Sequence, residues 1–481
     1  MRILLVNPPW RRFFGASAPL PPMGLCHIGA YLKNSRPEHE LALYDADLAP
    51  AAERAYRPSQ FSNKHLDYVA RVSNPADPLW MDVLEFIKGF GPDVVGITVM
   101  TATYASVLTL ARLVKIAVPG CKIVLGGKHV TALPEHALKD ENVDYVVVGE
   151  GEITFTELMD NINSPEKVLG LYYRNELGKP AFTGPRKFIE DLNELPLPVF
   201  LAANDKYDFQ DALKAPNSTW DLIGARGCPF NCSFCATEHL VRTRSVEHIL
   251  REMEYVNKNF GITHFRFQDD SFSFSKKRAL DICMALKETG FTWECNTRVD
   301  LLDDEIVNLM KTCNCRSVSI GIESASKATL TRIHKKIDPD AVRKAVALLK
   351  KYGMKIHGYF MIGFPWENYA DMKDTLNFCR ELKLDGYEVN FVVPLPGTEF
   401  FSDLVAAGKI NIDQLDWTRF QQASYYMNFS DYPDSEWTAM LKLIQKKIDR
   451  EPKIRLLKHR LKYIWNPYTV LKKIYLRLCR K

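Results

Sequence analysis

Cys228, Cys232 and Cys235 are the residues of this 481-residue chain whose type and spacing most directly indicate chemistry. They form a C-x3-C-x2-C pattern, and Phe234 lies directly before the last cysteine. Thiolates on one short loop can each bind an iron of a four-iron, four-sulfur cluster. The next cysteine, Cys283, lies 48 residues further along. The pattern therefore predicts three bound irons and a fourth iron left open for a small molecule.

Two other interpretations of these cysteines stay open on spacing alone. A zinc site needs a fourth Cys or His at a short, regular spacing, and His239 lies four residues after Cys235. Three ordinary thiols are the second alternative. The segments that flank the loop favour the iron–sulfur cluster.

The motif, with Phe234 inside it, resembles that of the radical S-adenosylmethionine (SAM) superfamily. In that family the amine and carboxylate of SAM chelate the open iron. One electron from the cluster then cleaves a carbon–sulfur bond and gives a 5′-deoxyadenosyl radical. The resemblance implies a [4Fe-4S] cluster and SAM as cofactors, and an external one-electron reductant of the flavodoxin or ferredoxin type.

Short apolar segments alternate with helical patterns in residues 1–165. Buried strands are predicted at 3–6, 41–44, 94–99, 122–125 and 145–148, and helices at 23–32, 104–116 and 152–162. All-apolar strands separated by helices are typical of a parallel sheet covered on both faces. Such sheets bind ligands beyond the carboxyl ends of their strands.

The strand ends of this first domain suit a ligand site. Glycines there allow close approach of a flat ligand, although they are equally expected as plain turn residues. The series N-P-P at 7–9, P-P-M-G-L at 21–25, G-G-K-H-V at 126–130 and V-V-G-E-G-E at 147–152 resembles the cobalamin-binding domain that precedes many radical SAM cores. The resemblance implies cobalamin on a flavodoxin-like (Rossmann-like), doubly wound sheet. The contacts that it implies are Asn7, Pro8, Pro9, Thr98, Thr101, Gly126, Gly127, Gly149 and Glu150.

The first domain departs from methionine-synthase-type cobalamin domains in one respect. Those domains carry D-x-H-x-x-G, whose His ligates cobalt. Neither His27 nor His129 follows an Asp at that spacing. Ligation of cobalt by a protein histidine is therefore not predicted.

Two segments of the chain are predicted to lie outside the two α/β domains, as an insertion and as a linker. Residues 48–80 are polar with a few aromatic side chains, and predict either a lid over the strand ends or a disordered loop. Residues 166–217 predict a linker that begins with a hairpin formed by 168–174 and 180–183. Prolines at 196 and 198 favour an extended strap.

Residues 218–400 alternate between strand and helix six times. Strands are predicted at 220–225, 264–268, 292–296, 317–322, 355–362 and 386–392, and helices at 246–259, 276–288, 304–312, 339–352 and 369–382. Six such units suit an open, curved barrel with its site in the loops at the strand carboxyl ends. The radical SAM resemblance implies the same partial (β/α)6 barrel, similar to a TIM barrel.

Residues in the cysteine loop and at these strand ends match the family's SAM contacts. Those contacts are Phe234, Asp269, Asp270, Arg298, Ser319, Glu323 and Ile362. Carboxylates at 269 and 270 suit the SAM ammonium, although Asp270 also suits a cap before a helix. Arg298 suits the SAM carboxylate. Glu323 is the third residue of a G-x-E-S segment at 321–324, and a Glu directly after an apolar strand is costly to bury without a partner.

Other residues of the barrel domain give weaker signals. The fifth strand resembles the adenine-contacting segment imperfectly, because Glu367 falls one place late. Cys295 is predicted to face the pocket as a proton or hydrogen-atom donor. Cys313 and Cys315 flank the fourth strand, where a structural role is favoured over a second cluster or a resolving thiol pair.

The amino-acid composition indicates the general class of protein. Apolar residues make up 46% and charged residues 25% of the chain, as in soluble globular proteins of two or three domains. Eleven cysteines without a secretory signal predict reduced thiols and a cytoplasmic protein. No run of 18 apolar residues occurs, so no membrane span is predicted.

Residues 401–481 predict a mainly helical tail. Its aromatic residues, together with one methionine, are predicted to close the barrel mouth, and they are Trp417, Phe420, Tyr425, Tyr426, Trp437 and Met440. Residues 446–481 contain 13 Lys or Arg and 2 Asp or Glu, a balance of +11 within a total of +5. This basic, aromatic pattern predicts either contact with the inner face of a membrane or a packing helix with a solvated basic face. Nucleic acid is disfavoured because the basic charge is confined to the tail.

Together these patterns resemble a cobalamin-dependent radical SAM enzyme. The chemistry implied is methylation of an unactivated carbon of a lipid or isoprenoid, a tetrapyrrole or a natural product. One SAM would supply the methyl group through cobalamin, and a second would supply the radical. The alternatives are a ring-forming enzyme of the anaerobic tetrapyrrole cyclase type and a non-catalytic iron–sulfur or cobalamin carrier.

Overall fold

The computed structural model describes residues 1–16, 21–48, 65–198, 218–420 and 427–448. Two sheets organise these residues. One has seven strands and the other has six, and a two-stranded ribbon is inserted after the first strand of the six-stranded sheet. The predicted α/β class is confirmed.

The first sheet has a parallel core with the strand order β2-β1-β3-β4-β5. Its strands are β1 (Arg2–Asn7), β2 (Glu40–Asp45), β3 (Val94–Thr98), β4 (Lys122–Gly126) and β5 (Tyr145–Val147). This is the flavodoxin-like order, so the predicted doubly wound sheet is confirmed. The predicted hairpin, β6 (Leu171–Arg174) and β7 (Pro180–Phe182), extends the sheet antiparallel to β5.

Helices cover both faces of this sheet. They are α1 (Met23–Ser35), α2 (His65–Val72), α3 (Pro78–Phe90), α4 (Tyr104–Ala117), α5 (Lys128–Ala132), α6 (Pro134–Ala137) and α7 (Gly151–Asp160). Ile3 and Leu5 pack into the layer of α1 and α7. Leu4 and Val6, on the other face of the same strand, pack into the layer of α3 and α4. Alternation along a strand buried on both faces explains why the whole segment is apolar.

The segment expected to be a lid or a disordered loop is folded where the structure describes it. In α2, Tyr68 is fully buried and stacks on Phe14 at 4.9 Å between ring centroids. Helix α3 begins after Asp77, whose side chain accepts a hydrogen bond from the Leu79 amide. Residues 49–64 lie outside the described residues.

The second sheet is the barrel. Its six parallel strands are β8 (Trp220–Leu222), β11 (His264–Phe267), β12 (Thr292–Thr297), β13 (Cys315–Glu323), β14 (Lys355–Ile362) and β15 (Gly386–Phe391), in sequential order. The helices between and after them are α8 (Val246–Phe260), α9 (Lys276–Lys287), α10 (Asp304–Thr312), α11 (Lys327–Arg332), α12 (Pro339–Lys351), α13 (Tyr369–Leu382) and α14 (Glu399–Ala406). The predicted partial (β/α)6 barrel is confirmed.

The strand predicted at 220–225 is two elements. After β8 the chain leaves the barrel and enters the ribbon of β9 (Ala225–Arg226) and β10 (Arg242–Thr243). This ribbon closes the cysteine-bearing segment into a loop.

The C-terminal segment packs differently from the prediction. Trp417 lies 4.8 Å from His129 and 5.6 Å from Tyr104, measured between ring centroids, so it docks on the first domain and not on the barrel mouth. Trp437, in a helix over 434–448, packs with Ile362 on the outer side of the barrel. Tyr425, Tyr426 and the basic residues from 449 onward lie outside the described residues. No helix within the described ranges is long and apolar enough to cross a membrane.

Candidate functional site

The cluster loop, residues 227–241, is closed at its base by the ribbon. Arg226 pairs with Arg242, and Ala225 with Thr243. Gly227 has φ +92°, and a Cβ at this position would collide with the carbonyl oxygen of Leu240. The amide of Cys228 donates to the carbonyl of Glu238 at 2.9 Å. The loop therefore returns on itself tightly, and its first residue has to be glycine.

Burial raises the pKa of the Cys228 thiol and the Cys235 and Cys232 thiols add to the shift, so the three loop cysteines lie near one another. Cys228 and Cys232 are half-buried and Cys235 is exposed. In the described part of the chain, no three His, Cys, Asp or Glu side chains are arranged to hold one metal ion. A zinc site would need four such groups around one ion, whereas each cysteine of an iron–sulfur cluster binds a different iron. The arrangement fits the cluster better than zinc.

Arg298 lies against the cluster loop. Its guanidinium sits 4.0 Å from the centroid of the Phe230 ring, and Nη1 is 3.8 Å from the Sγ of Cys232. Its other nitrogens donate to Asp300 and to the carbonyl of Lys335. These contacts occupy the donors that were expected to bind the SAM carboxylate. The positive charge instead lies beside a cysteine that must be a thiolate to bind iron.

Asp269 and Asp270 point in different directions. Asp269 is buried and accepts from the amides of Gly224 and Ala225 at 2.7 and 3.0 Å, and from Arg278 at 2.9 Å. It therefore holds the start of the ribbon. Asp270 lines a cavity between the two domains, 3.3 Å from Thr237. The structure does not bring the pair together at one ligand.

A cavity of about 270 Å³ opens at the carboxyl ends of the barrel strands. Phe234 and Glu323 line it, as the sequence predicts for SAM contacts. Glu323 has φ +64° and its carboxylate receives a 2.7 Å hydrogen bond from Lys335. A Cβ on Gly321 would lie 2.5 Å from the Glu323 carboxylate. The G-x-E-S segment therefore needs its glycine to make room for this ion pair.

Three polar or aromatic residues of this cavity were missed from the sequence. Tyr359, Glu388 and Asn390 line it from β14 and β15. Ser319 lies beside the Tyr359 hydroxyl on the same face. The signal was present in β14, where Tyr359 and Met361 alternate with the buried Phe360 and Ile362.

Ile362 and Cys295 lie on the opposite face of the sheet. Ile362 is fully buried against the C-terminal helix. Cys295 is 2% exposed, on the face of β12 that packs against the helices. Burial raises the pKa of its thiol, and Cys315 and Cys283 are neighbours. The expectation that Cys295 faces the pocket is not met, and Cys313 and Cys315 are likewise buried in the core.

A larger cavity of about 400 Å³ lies between the two domains. Five residues expected to contact cobalamin line it, and they are Thr98, Gly126, Gly127, Gly149 and Glu150. Gly127 has φ +122°, and a Cβ there would lie 2.6 Å from the Val99 carbonyl oxygen. The barrel contributes Gly227, Thr237 and Asp270. The strand ends of the first sheet and the base of the cluster loop thus share one cavity.

The walls of this cavity suit a large ligand with an apolar body. Leu5, Leu25, Val124 and Phe155 contribute apolar surface. His27 also lines the cavity, and its two ring nitrogens are buried without a hydrogen-bond partner among the described residues. Burial, followed by the charge of Arg226, holds the His27 pKa well below its usual value, so the ring is neutral. The residues present fit cobalamin.

The remaining expected cobalamin contacts are engaged elsewhere. Asn7 donates to the Asp45 carboxylate at 2.7 Å, and the Pro9 carbonyl accepts from Ser106 at 2.6 Å. Thr101 lies 3.2 Å from the Nδ1 of His129. With Pro8, which is buried, these residues hold the loops after β1 and β3 and do not line the cavity.

Buried ion pairs join the two domains beside the cavity. Glu150 accepts from Arg226 at 2.6 Å and from Arg242 at 2.8 Å, and Glu152 accepts from Arg226 at 2.5 Å. Burial alone would raise the pKa of Glu150, but the hydrogen bonds from the two arginines outweigh it and the pKa is lowered. Sequence reasoning missed both arginines. The only signal was the opposite charge of the A-R-G-C and G-E-G-E segments.

Comparison with known proteins agrees with this division of the chain. The model of the radical SAM superfamily matches residues 222–379, and the model of the B12 binding domain matches residues 16–159.

Individual relatives extend these matches over most of the chain. It is 31% identical over 470 residues to an uncharacterized methyltransferase of Pyrococcus horikoshii, with 94% of each chain covered. It is 28% identical over 340 residues to an anaerobic magnesium-protoporphyrin IX monomethyl ester cyclase of Rubrivivax gelatinosus, covering 67% of this chain and 60% of the relative. The structure of the radical SAM methyltransferase TsrM of Kitasatospora setae, with cobalamin and a [4Fe-4S] cluster bound, superposes with a TM-score of 0.64 at 15% identity. That match covers 91% of this chain and 81% of the other.

Proposed function

Because this chain belongs to the radical SAM enzymes that carry a cobalamin-binding domain, we propose that it transfers a methyl group to an unactivated carbon of its substrate. Its cofactors are a [4Fe-4S] cluster, SAM and cobalamin. The observation that carries the proposal is the inter-domain cavity, because its wall includes both the strand ends of the cobalamin-binding domain and the base of the cluster loop. A methyl carrier and a radical source have to meet at such a place.

The proposed roles of the residues follow their positions. Cys228, Cys232 and Cys235 bind three irons of the cluster, and Arg298 offsets the negative charge of the loop. When bound, the cluster supplies an electron to SAM, and cobalamin carries the methyl group.

The proposed SAM site is the barrel cavity. Phe234 and Tyr359 would offer ring surfaces to SAM, while Glu323 and Asn390 would offer polar atoms. Because Lys335 fixes the Glu323 carboxylate, that group is oriented before SAM arrives. Pre-oriented groups lose little freedom when they bind a ligand.

The proposed cobalamin site is the inter-domain cavity. Thr98, Gly126, Gly127 and Gly149 would contact the ring, and the apolar side chains below them would exclude water. Thr237 and Asp270 are the polar groups that the barrel turns toward this space. They would face a substrate held between the two cofactors.

The substrate and the electron donor are also proposals. A lipid or isoprenoid, a tetrapyrrole and a natural product are the classes implied by the family, and the apolar wall of the inter-domain cavity suits a largely apolar molecule. The electron would come from a flavodoxin-like or ferredoxin-like protein. We also propose a cytoplasmic location, because an iron–sulfur cluster that must be reduced suits a reducing compartment.

Ring formation is the second candidate reaction, because a magnesium-protoporphyrin cyclase is 28% identical over two thirds of the chain. Counting the products of SAM separates the two reactions. Methyl transfer gives S-adenosylhomocysteine and 5′-deoxyadenosine together, with label from the SAM methyl group in the product. Deoxyadenosine alone, with no label transferred, would favour the cyclase.

A non-catalytic carrier would behave differently in the same assay. Reduced protein loaded with its cofactors is expected to cleave SAM, and Cys228→Ala, Cys232→Ala or Cys235→Ala is expected to abolish cleavage. If the loaded protein never cleaves SAM, or if the three variants keep its activity, the enzyme proposal fails.

Peripheral membrane contact is a separate proposal that rests on the basic, aromatic sequence of residues 446–481. Anionic liposomes are expected to retain the full chain and to release a chain shortened to residues 1–451. Equal retention of both forms, or of neither, rejects the proposal.

A further inference from the structure

The ribbon at the base of the cluster loop has an unfavourable charge arrangement of its own. It contains two residue pairs, and in one of them Arg226 lies directly opposite Arg242. Like charges opposite each other destabilise an antiparallel pair. The cluster loop enters and leaves through these residues, so the ribbon needs counter-ions to hold the loop closed.

The carboxylates that supply this charge belong to the other domain. Glu150 bridges both arginines, and Glu152 binds the second nitrogen of Arg226. Among the described residues, no carboxylate of the barrel domain pairs with either arginine. The side chains are 5–17% exposed, so water and salt screen these pairs little.

The two carboxylates are part of the wall of the inter-domain cavity. Glu150 directly follows Gly149, and Glu152 lies in the first turn of α7. Glu150 also accepts from the amide of Ile189 at 2.8 Å, while Arg242 donates to the Ile189 carbonyl at 2.7 Å. The end of β5, the linker and the ribbon therefore meet at one carboxylate.

We propose that Glu150 and Glu152 are positioning residues that fix the cluster loop at a set distance from the cobalamin site by neutralising Arg226 and Arg242. Both side chains line the inter-domain cavity, but their carboxylate oxygens are held by the two arginines and are assigned no role in the reaction itself. Their effect is on geometry, because a displacement of the order of 1 Å between reacting groups slows a reaction severely. This inference rests on the two cofactors and holds for methyl transfer and for ring formation alike.

The test measures the distance between the two cofactors in the full-length protein. The reduced cluster and cob(II)alamin each carry an unpaired spin, and pulsed electron paramagnetic resonance reports their dipolar coupling. The double variant Glu150→Gln, Glu152→Gln is expected to give a shifted and broadened distance distribution. A distribution identical to that of the unaltered protein overturns the proposal.

The matched control is Lys139→Met, which removes an exposed ion pair between Lys139 and Asp413. This variant is expected to keep the original distribution. If it broadens the distribution as much as the double variant does, the effect is not specific to the ribbon and the proposal fails.

A second variant covers the case in which the double variant does not retain both cofactors. Arg226→Lys keeps the charge, but a single ammonium cannot reach both carboxylates in the way that the forked guanidinium does. A broadened distribution is expected here too, with iron and cobalamin contents unchanged. An unaltered distribution in Arg226→Lys contradicts the proposal.

Discussion

Glu323 shows how one residue of the site is built. It occupies the left-handed backbone region at the end of β13, where a non-glycine residue is strained. The strand pairing shifts register between Gly321 and Glu323, and Lys335 holds the carboxylate. The strain turns this carboxylate into the barrel cavity, and the absence of a side chain at 321 leaves room for it.

Gly321→Ala tests this packing. The added methyl would displace the Glu323–Lys335 pair, and the loss of unfolding free energy is expected to be about 1–3 kcal/mol. SAM binding, measured by equilibrium dialysis, is expected to weaken as well. Denaturant unfolding of the variant gives the stability change.

Gly89→Ala is the control for this substitution. Gly89 lies near the end of α3, and a Cβ there would have no atom within 4 Å. Replacing an exposed helical glycine is expected to leave stability unchanged or to raise it by about 0.5–1 kcal/mol. A Gly321→Ala protein that behaves like this control would contradict the packing account.

Residue types in the site were predictable from the sequence, whereas their partners were not. Asp269 and Arg298 lie just after β11 and β12, where the sequence predicted them, yet each holds the ribbon or the loop instead of a ligand. A charged side chain bonds to whatever the fold places nearest, and that depends on segments distant in sequence. Cys295 is different, because the alternation along β12 already places it on the face of Trp293, away from the pocket.

At the scale of elements, apolar runs identified most strands because burial on both faces leaves a simple signal. The first barrel strand was predicted too long, since the sequence does not show that Ile223 and Gly224 leave the sheet. Helix α3 was missed although Asp77-Pro78 is a helix-start signal, because the polar segment before it suggested a loop. The docking of β6 and β7 on the first sheet depends on distant contacts that no local pattern reports.

The turn after β14 depends on a buried carboxyl group. Glu367 is fully buried and accepts from the amides of Gly363 and Phe364 and from the hydroxyl of Thr329. Burial raises its pKa to about 7 despite these hydrogen bonds. Glu367 lies one residue later than the Glu of the family's adenine-contacting segment. This position has a structural reason, because the side chain folds back onto the turn.

Glu367→Gln tests the pH dependence that follows. Because the folded state holds this proton more tightly than the unfolded state, Glu367 makes stability fall as pH rises from about 4.5 to about 7. The contribution is on the order of 3 kcal/mol. The variant is expected to lose this slope when unfolding free energies are measured across the range. Parallel pH profiles for the two proteins would show that the Glu367 pKa is not raised.

At the scale of the whole molecule, the C-terminal segment holds the two domains together from the outside. Trp417 is 8% exposed and packs on Tyr104, His129 and His136. The ion pairs of the ribbon hold the domains together from the inside, beside the cavity. The packing of Trp417 and the ion pairs of the ribbon, which are far apart in sequence, therefore both fix the placement of one sheet relative to the other.

Trp417→Ala tests the outer support. Removal of a buried Trp side chain is expected to cost roughly 3–5 kcal/mol of unfolding free energy. Hydrogen exchange is expected to rise in α4 and α5, which lie beneath the ring. Leu177→Ala, at a hairpin residue that is 80% exposed, is the control and is expected to change neither quantity. Unchanged exchange in Trp417→Ala would mean that the segment does not secure the first domain.

The central claim is that one chain carries both a SAM-binding cluster and cobalamin, with the base of the cluster loop and the cobalamin-binding strand ends lining one cavity. Electron paramagnetic resonance of anaerobically reconstituted, reduced protein tests it most directly. The account predicts a [4Fe-4S] signal that changes shape when SAM is added, together with a cob(II)alamin signal, and a Cys232→Ala variant that keeps only the second. A cluster signal that is indifferent to SAM, or one that survives in Cys232→Ala, would contradict the account.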